Sequence, residues 1–215
     1  MRAVAGAQAQ LEIDRTTRAP GVDFSVWVVS PADATRRVRD GDVDIALSFS
    51  LAPEKGVRVD RSERAPIFAL VRHDHPLATR EAVSLADVAR HPHVLPEAGT
   101  TVRQLIDIAC ALDGLLLEPE LTSNNTAAMY GYARRTGAVM FTGLLSVRDR
   151  CTEDGFVVVP VTNPQLRERS IQVQTMAGRD LPASVRAFRD HLIDAMQAAS
   201  APPTAARGPR GRPVR

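Results

Sequence analysis

The first clear apolar segment of the chain runs from Val22 to Val29. β-Branched and aromatic residues there follow the turn pair Pro20-Gly21, and the pattern predicts a strand. A helix is predicted directly behind it. Ser30 is placed to cap its free N–H groups, Pro31 suits the first helical position, and Asp33 stands where a capping-box carboxylate favours the positive helix end. That helix should stop near Asp40-Gly41, and Val43 to Leu47 then reads as a buried second strand.

The same alternation continues. Ala65 to Val71 predicts a strand that ends in the turn His73-Asp74-His75-Pro76. Ser84-Leu85-Ala86-Asp87 opens a short helix closed by His91-Pro92, and Val94-Leu95 begins a short strand leading to Glu97-Ala98-Gly99-Thr100-Thr101. After those residues Val102, Leu105, Ile106, Ile108 and Ala109 form a helical apolar stripe. Leu117 to Leu121 reads as a strand, Asn125 to Arg135 as a helix, and Ala138 to Phe141 as a strand. Phe156 to Val161 and Ser170 to Thr175 predict two further strands, and Pro182 to Ala199 an amphipathic closing helix. Strands alternating with helices predict an α/β protein with parallel sheets covered on both faces. Beyond Ser200 the Pro, Gly, Ala and Arg mixture cannot build a core, so residues 200–215 are expected to be a disordered tail.

With 215 residues and 44% hydrophobic content the chain can bury one or two cores. Its formal net charge is +2, and the one same-sign cluster is Arg207, Arg210, Arg212 and Arg215. Without those four the remainder is slightly acidic, which leaves the body no charge excess for a polyanion. Cys110 and Cys151 are too few for a disulfide framework and fit a reducing compartment. No stretch approaches the apolar length of a membrane span or a signal peptide, so a cytoplasmic location is expected.

Several fragments, in order, resemble the effector-binding domain of LysR-type transcriptional regulators across roughly residues 20–196. They are Pro20-Gly21-Val22, Arg39 to Leu47, Asp74-His75-Pro76-Leu77-Ala78, Val83 to Asp87, and Leu181-Pro182 before a helix containing Phe188. The resemblance implies two Rossmann-like subdomains with a ligand cleft between them, of the type II periplasmic-binding-protein kind, joined by two crossover strands. It divides the chain into subdomain I, residues 1–62 plus 176–199, and subdomain II, residues 63–175. It implies a small ligand in that cleft and ligand-dependent control of transcription. The expected function is binding of a small, anionic metabolite that controls subdomain arrangement and oligomer assembly, with a homo-oligomer expected and neither cofactor nor enzyme activity. Three rivals stand beside it: a solute-binding receptor of a transport system, an enzyme on a related two-lobed scaffold, for which no convergent acid, base or nucleophile is found, and an interaction-only module. Family members also carry a winged helix-turn-helix and a linker helix, for which the residues before Pro20 are too few. Sequence-specific DNA binding by this chain alone is therefore not expected, and a truncated or misassigned start is. Met1 to Ala5 can supply a stub of the family's first strand and Leu11 to Arg18 a shortened helix.

Ligands of open α/β sheets bind beyond the C-terminal strand ends, where helix starts present unpaired N–H groups. Three turns fit: Val29-Ser30, Gly99-Thr100-Thr101 and Ser123-Asn124-Asn125, although each also reads as an ordinary helix cap. By resemblance, Ser30, Thr100 and Thr101 fall where family members contact effectors. Phe141 and Thr142 belong to a glycine-led strand that resembles the family's cleft-side strand, with Thr142 in place of a frequent proline, and read equally as core. The pairs His73/His75 and His91/His93 lack a Cys or acidic partner at ligand spacing, so no metal site is expected. Cys151 has nothing in sequence to activate it as a nucleophile.

Overall fold

The computed structural model describes residues 2–6, 23–52, 54–143, 151 and 154–200. The chain begins with β1 (Arg2–Gly6), β2 (Ser25–Val29), α1 (Pro31–Arg39), β3 (Ile45–Ser50) and β4 (Val57–Arg64). It then crosses at Ala65-Pro66 into β5 (Ile67–Arg72), α2 (Leu85–Val88), β6 (His93–Pro96), α3 (Thr101–Asp113), β7 (Leu121–Ser123), α4 (Thr126–Thr136), β8 (Val139–Gly143) and β9 (Phe156–Pro160). A 3-10 turn at Pro164–Arg167 leads back to β10 (Ser170–Met176), and α5 (Ala183–Ser200) closes the fold.

Two five-stranded sheets result, ordered β2-β1-β3-β10-β4 and β7-β6-β8-β5-β9. They are mixed rather than parallel. In the first, β1 lies parallel between β2 and β3, while β10 runs antiparallel to both β3 and β4. In the second, β6 is parallel to β7 and β8, while β5 is antiparallel to β8 and β9. The antiparallel strands are those that enter and leave a sheet from the other one, since a chain arriving at the C-terminal edge must run backwards through the sheet.

The expected stub at the amino terminus therefore forms a strand, and it takes an interior place whose hydrogen bonds both neighbours need. The shortened helix at Leu11 to Arg18, Val22 and residues 201–215 of the tail lie outside the described residues, while Asp23 and Phe24 are irregular and the strand expected from Val22 begins at Ser25. β10 pairs within the first sheet, so the return crossing falls at Glu168-Arg169, earlier in the chain than the expected boundary after Thr175. β4 was not expected: its sequence Val57-Arg-Val-Asp-Arg-Ser-Glu-Arg64 is mostly charged because it is the exposed edge of the sheet. The strand expected at Leu117 to Leu121 begins only at Leu121. Pro119 has no N–H for a ladder, and Leu115 and Leu117 pack on the core as irregular chain instead.

Local chemistry fixes the helix ends. Ser30 Oγ accepts from Asp33 N at 3.2 Å, and the Asp33 carboxylate turns to Arg36 and Arg37 rather than completing a capping box. At α2 the box is complete: Ser84 Oγ accepts from Asp87 N at 3.1 Å, and Asp87 Oδ2 accepts from Ser84 N at 2.9 Å. α3 ends on Gly114 with φ 62°, where a side chain would be strained. One core gathers Ile45, Leu47, Phe49, Ile171 and Val173 under Val185, Phe188 and Leu192 of α5. Another packs Ile67, Ala69, Val71 and Phe141 against Val102, Leu105 and Ile106 of α3.

Candidate functional site

Strand register places the helix starts. Ser170, which opens β10, lies opposite both Ser50 and Arg64, the last residues of β3 and β4. The crossovers therefore leave the first sheet at its C-terminal edge, the edge from which β2 delivers the chain to Ser30 and α1. Ile67, which opens β5, lies opposite Gly143, the last residue of β8, and β6 and β7 end at the same edge. The starts of α3 and α4 thus adjoin the crossovers from the other sheet. Helix starts carry free N–H groups and the positive end of the helix dipole, so both edges are suited to anionic groups.

Each turn named from the sequence serves as a cap. Thr100 Oγ1 accepts from Arg103 N at 3.2 Å and donates to Glu97 O at 3.1 Å, with Thr101 the first helical residue behind it. Asn125, not Ser123 or Asn124, caps α4 by accepting from Ala128 N at 3.1 Å, and Ser123 Oγ accepts from Asn125 N at 3.1 Å. Asn124 is exposed. Topology gathers Thr100, Thr101, Ser123, Asn124 and Thr142 at the edge of the second sheet and Ser30 at that of the first. Thr142 is buried, and its hydroxyl donates to Gly143 O at 3.3 Å. Phe141 is 1% exposed and packs in the α3 core.

Two groups were not singled out from the sequence. The first is a buried polar ladder along one face of β10. Thr35 Oγ1 donates to Gln174 Oε1 at 3.0 Å, Gln174 Nε2 to Gln172 Oε1 at 2.9 Å, Gln172 Nε2 to Ser170 Oγ at 3.2 Å, and Ser170 Oγ to Ser50 O at 3.3 Å. It runs from the middle of α1 to the crossover. The signal was the strict alternation Ser170-Ile-Gln172-Val-Gln174, which ordinarily marks a solvated face. The second is Arg169, whose Nε donates to Ala65 O at 3.0 Å and whose guanidinium lies 4.0 Å from the Phe49 ring centroid. Burial pushes it down to about 9, so it is a cation at neutral pH. Nothing in hydrophobic periodicity distinguishes it from surface arginines such as Arg167.

The remaining candidates contract. His75 and His91 stack edge to face at 4.8 Å, His73 Nδ1 lies 3.0 Å from Gly155 O, and His93 Nδ1 lies 2.8 Å from His91 O. Among the described residues no group of three or more His, Cys, Asp and Glu is placed to hold a metal ion. Cys110 and Cys151 are both buried, and burial raises the Cys110 thiol. Among the described residues no helix is long and apolar enough to cross a membrane.

Comparison with known proteins meets this geometry. The LysR substrate binding domain matches residues 16–197. A "Probable nitrogen assimilation transcriptional activator" of Synechococcus elongatus is 26% identical over 182 residues, covering 83% of this chain and 59% of that protein. The chain spans less than two thirds of the length of the curated relatives it matches. Among solved structures, the CcmR regulatory domain of Synechocystis PCC6803 in complex with 2-PG superposes with a TM-score of 0.74 at 16% identity, covering 91% of this chain and 96% of that one. The QuiR effector-binding domain in complex with shikimate gives 0.69 at 13% identity, covering 92% and 96%. The two sheets are thus the two subdomains of a periplasmic-binding-protein-like fold, and the chain belongs to the LysR substrate-binding domain family, the effector-binding part of LysR-type transcriptional regulators.

Proposed function

We propose that this chain binds a small anionic metabolite where the C-terminal edges of its two sheets adjoin, and that the bound molecule selects one arrangement of the subdomains. The observation that carries the reading is the register: it brings the starts of α1, α3 and α4, with Ser30, Thr100, Thr101, Ser123 and Asn124, to the edges next to both crossovers. Arg169 lies at the same crossovers, its Nε bonded to Ala65 O. The related domains are in complex with 2-PG and with shikimate, and a small molecule as the class of ligand is carried here, not their identity.

A ligand can shift an arrangement only as far as its affinity differs between the two states. Thermal stability measured across aliphatic and aromatic carboxylates, with 2-PG and shikimate among them, tests binding. A ligand at a hundredfold its Kd adds about 2.7 kcal/mol to the folded state. The joint substitution Thr100→Ala and Thr101→Ala should remove most of that gain. An undiminished gain would reject those hydroxyls as anchors.

The proposed readout is assembly of a homo-oligomer within a regulator. Each subdomain exposes large apolar side chains: Val26, Trp27 and Val28 on the edge strand β2, and a strip of Ile108, Leu112 and Leu116 along α3 and just past it. Light scattering on a size-exclusion column should show Leu112→Glu shifting the protein towards monomer. An unchanged mass would remove that strip from the interface.

A further inference from the structure

Both crossovers between the sheets meet at one side chain. Ala65 N donates to Arg169 O at 2.9 Å, and Arg169 Nε returns a bond to Ala65 O at 3.0 Å, so the outgoing and returning segments are clasped together. The guanidinium then extends beyond the clasp in two directions. It stacks on Phe49 of β3, which belongs to the first sheet. Its Nη2 also fills the space a side chain at Gly143 would take: a Cβ built on Gly143, the last residue of β8 in the second sheet, would collide with it deep inside van der Waals contact. Gly143 needs no unusual backbone conformation, since its φ is not among the positive values. Its lack of a side chain therefore serves space, not backbone freedom.

We propose that Arg169 is a pin that sets the angle between the two subdomains, and that position 143 is glycine because the pin occupies it. Rotation of one subdomain against the other must slide Phe49 or Gly143 past a guanidinium whose Nε is fixed to the crossover. Packed contacts of this kind have discrete arrangements rather than a continuum. Arg169 is a positioning residue; the inference rests on the ligand-binding reading only for its purpose, because the pin acts with no ligand present.

The test measures subdomain separation in the ligand-free protein. Spin labels are placed at the exposed positions Arg135 on α4 and Ala187 on α5, after replacing the buried Cys110 and Cys151 with alanine. Gly143→Ala should displace the pin and shift the distance distribution by several ångström. Arg169→Met keeps the stem and removes the head, and should shift or broaden it too. The decisive variant carries both changes: with the head gone, the alanine keeps only an ordinary contact with Pro66 O at 3.9 Å, so the double variant should match Arg169→Met alone. Unchanged distributions in the single variants, or shifts that simply add in the double, would overturn the pin. Should Arg169→Met fail to fold, Arg169→Lys paired with Gly143→Ala gives the same cycle, because lysine cannot both stack on Phe49 and reach position 143. A carboxylate screen that finds no ligand while the labels move would sink the ligand reading and leave the pin standing; binding without movement would do the reverse.

Discussion

The two sheets solve burial differently on their two faces. The second sheet is apolar on both sides: Phe141 and Val139 face α3, and Leu70, Val94 and Met140 face Met129 and Ala133 of α4. Among the described residues the first has its large apolar cluster towards α5. Towards α1 its apolar cluster is small, Ala34, Val38, Val43 and Ala46, and beside it lie Ser48, Gln172, Gln174 and Thr35, all buried. An apolar face tolerates small shifts at modest cost, whereas a satisfied polar ladder has one good arrangement and penalises every other. The contrast suggests a second subdomain held by packing and a first subdomain held in register by hydrogen bonds.

The largest effect should therefore come from the packed side. Phe141→Ala opens a cavity in a fully buried core and should cost about 3–5 kcal/mol in urea or thermal unfolding, with any loss of ligand binding following from instability. A loss of binding with stability intact would instead make Phe141 part of the pocket. On the polar side, Gln174→Leu leaves the Thr35 hydroxyl and the Gln172 carbonyl oxygen without their partner, at about 1–3 kcal/mol. Adding Thr35→Val removes one of those stranded groups and should recover part of the loss. If the double variant is no better than the single one, the ladder is not what orders that face.

Which of these features the sequence disclosed follows from the same contrast. Features governed by local chemistry were readable: Ser30-Pro31, the Ser84/Asp87 box and the Thr100 cap form where their residues predict, because caps depend on four consecutive positions. β3, β5, β6 and β8 were readable because apolar runs of strand length have few alternatives. The antiparallel direction of β5 and β10 was not, since it depends on which sheet the chain is leaving. The ladder was misread for a related reason: alternation shows that Gln172 and Gln174 share a face, but only α1 packed across it makes that face buried. Arg169 and Gly143 are separated by a crossover and a whole strand, and no local pattern links them.

Smaller effects test the caps. Thr100→Ala should cost about 1 kcal/mol of stability through the lost acceptor for Arg103 N, separate from any effect on ligand. At α2 the complete box makes the cost pH-dependent. The backbone and hydroxyl bonds from Ser84 hold the Asp87 carboxyl below the usual 3.8, so its stabilisation is present above that value and is lost as pH falls through the lower, folded one. Asp87→Asn should flatten that acid limb of the Tm profile, and an unchanged limb would show that the box contributes little.

The smallest expected effect separates the subdomains by pH. Four of the five histidines, His73, His75, His91 and His93, sit in the second subdomain, and the fifth, His191, is exposed on α5. His75 carries the resolved shift: burial, then the charge of His91, lowers it from 6.5, against a small opposing effect of Asp74. Its Nδ1 accepts from Leu77 N at 3.1 Å, so the neutral ring is the form the turn uses. Above 6.5 both folded and unfolded chains hold it neutral and it contributes no pH dependence. As pH falls below that value the unfolded chain takes up the proton first, and stability declines until the folded ring is protonated as well. Asparagine at this position can accept from the N–H two residues on, as in an Asx turn, without titrating. His75→Asn should therefore keep the turn and flatten the decline in Tm between about pH 6.5 and 5, the range in which histidine charges. A profile that keeps its full slope in the variant would assign the pH sensitivity to another group.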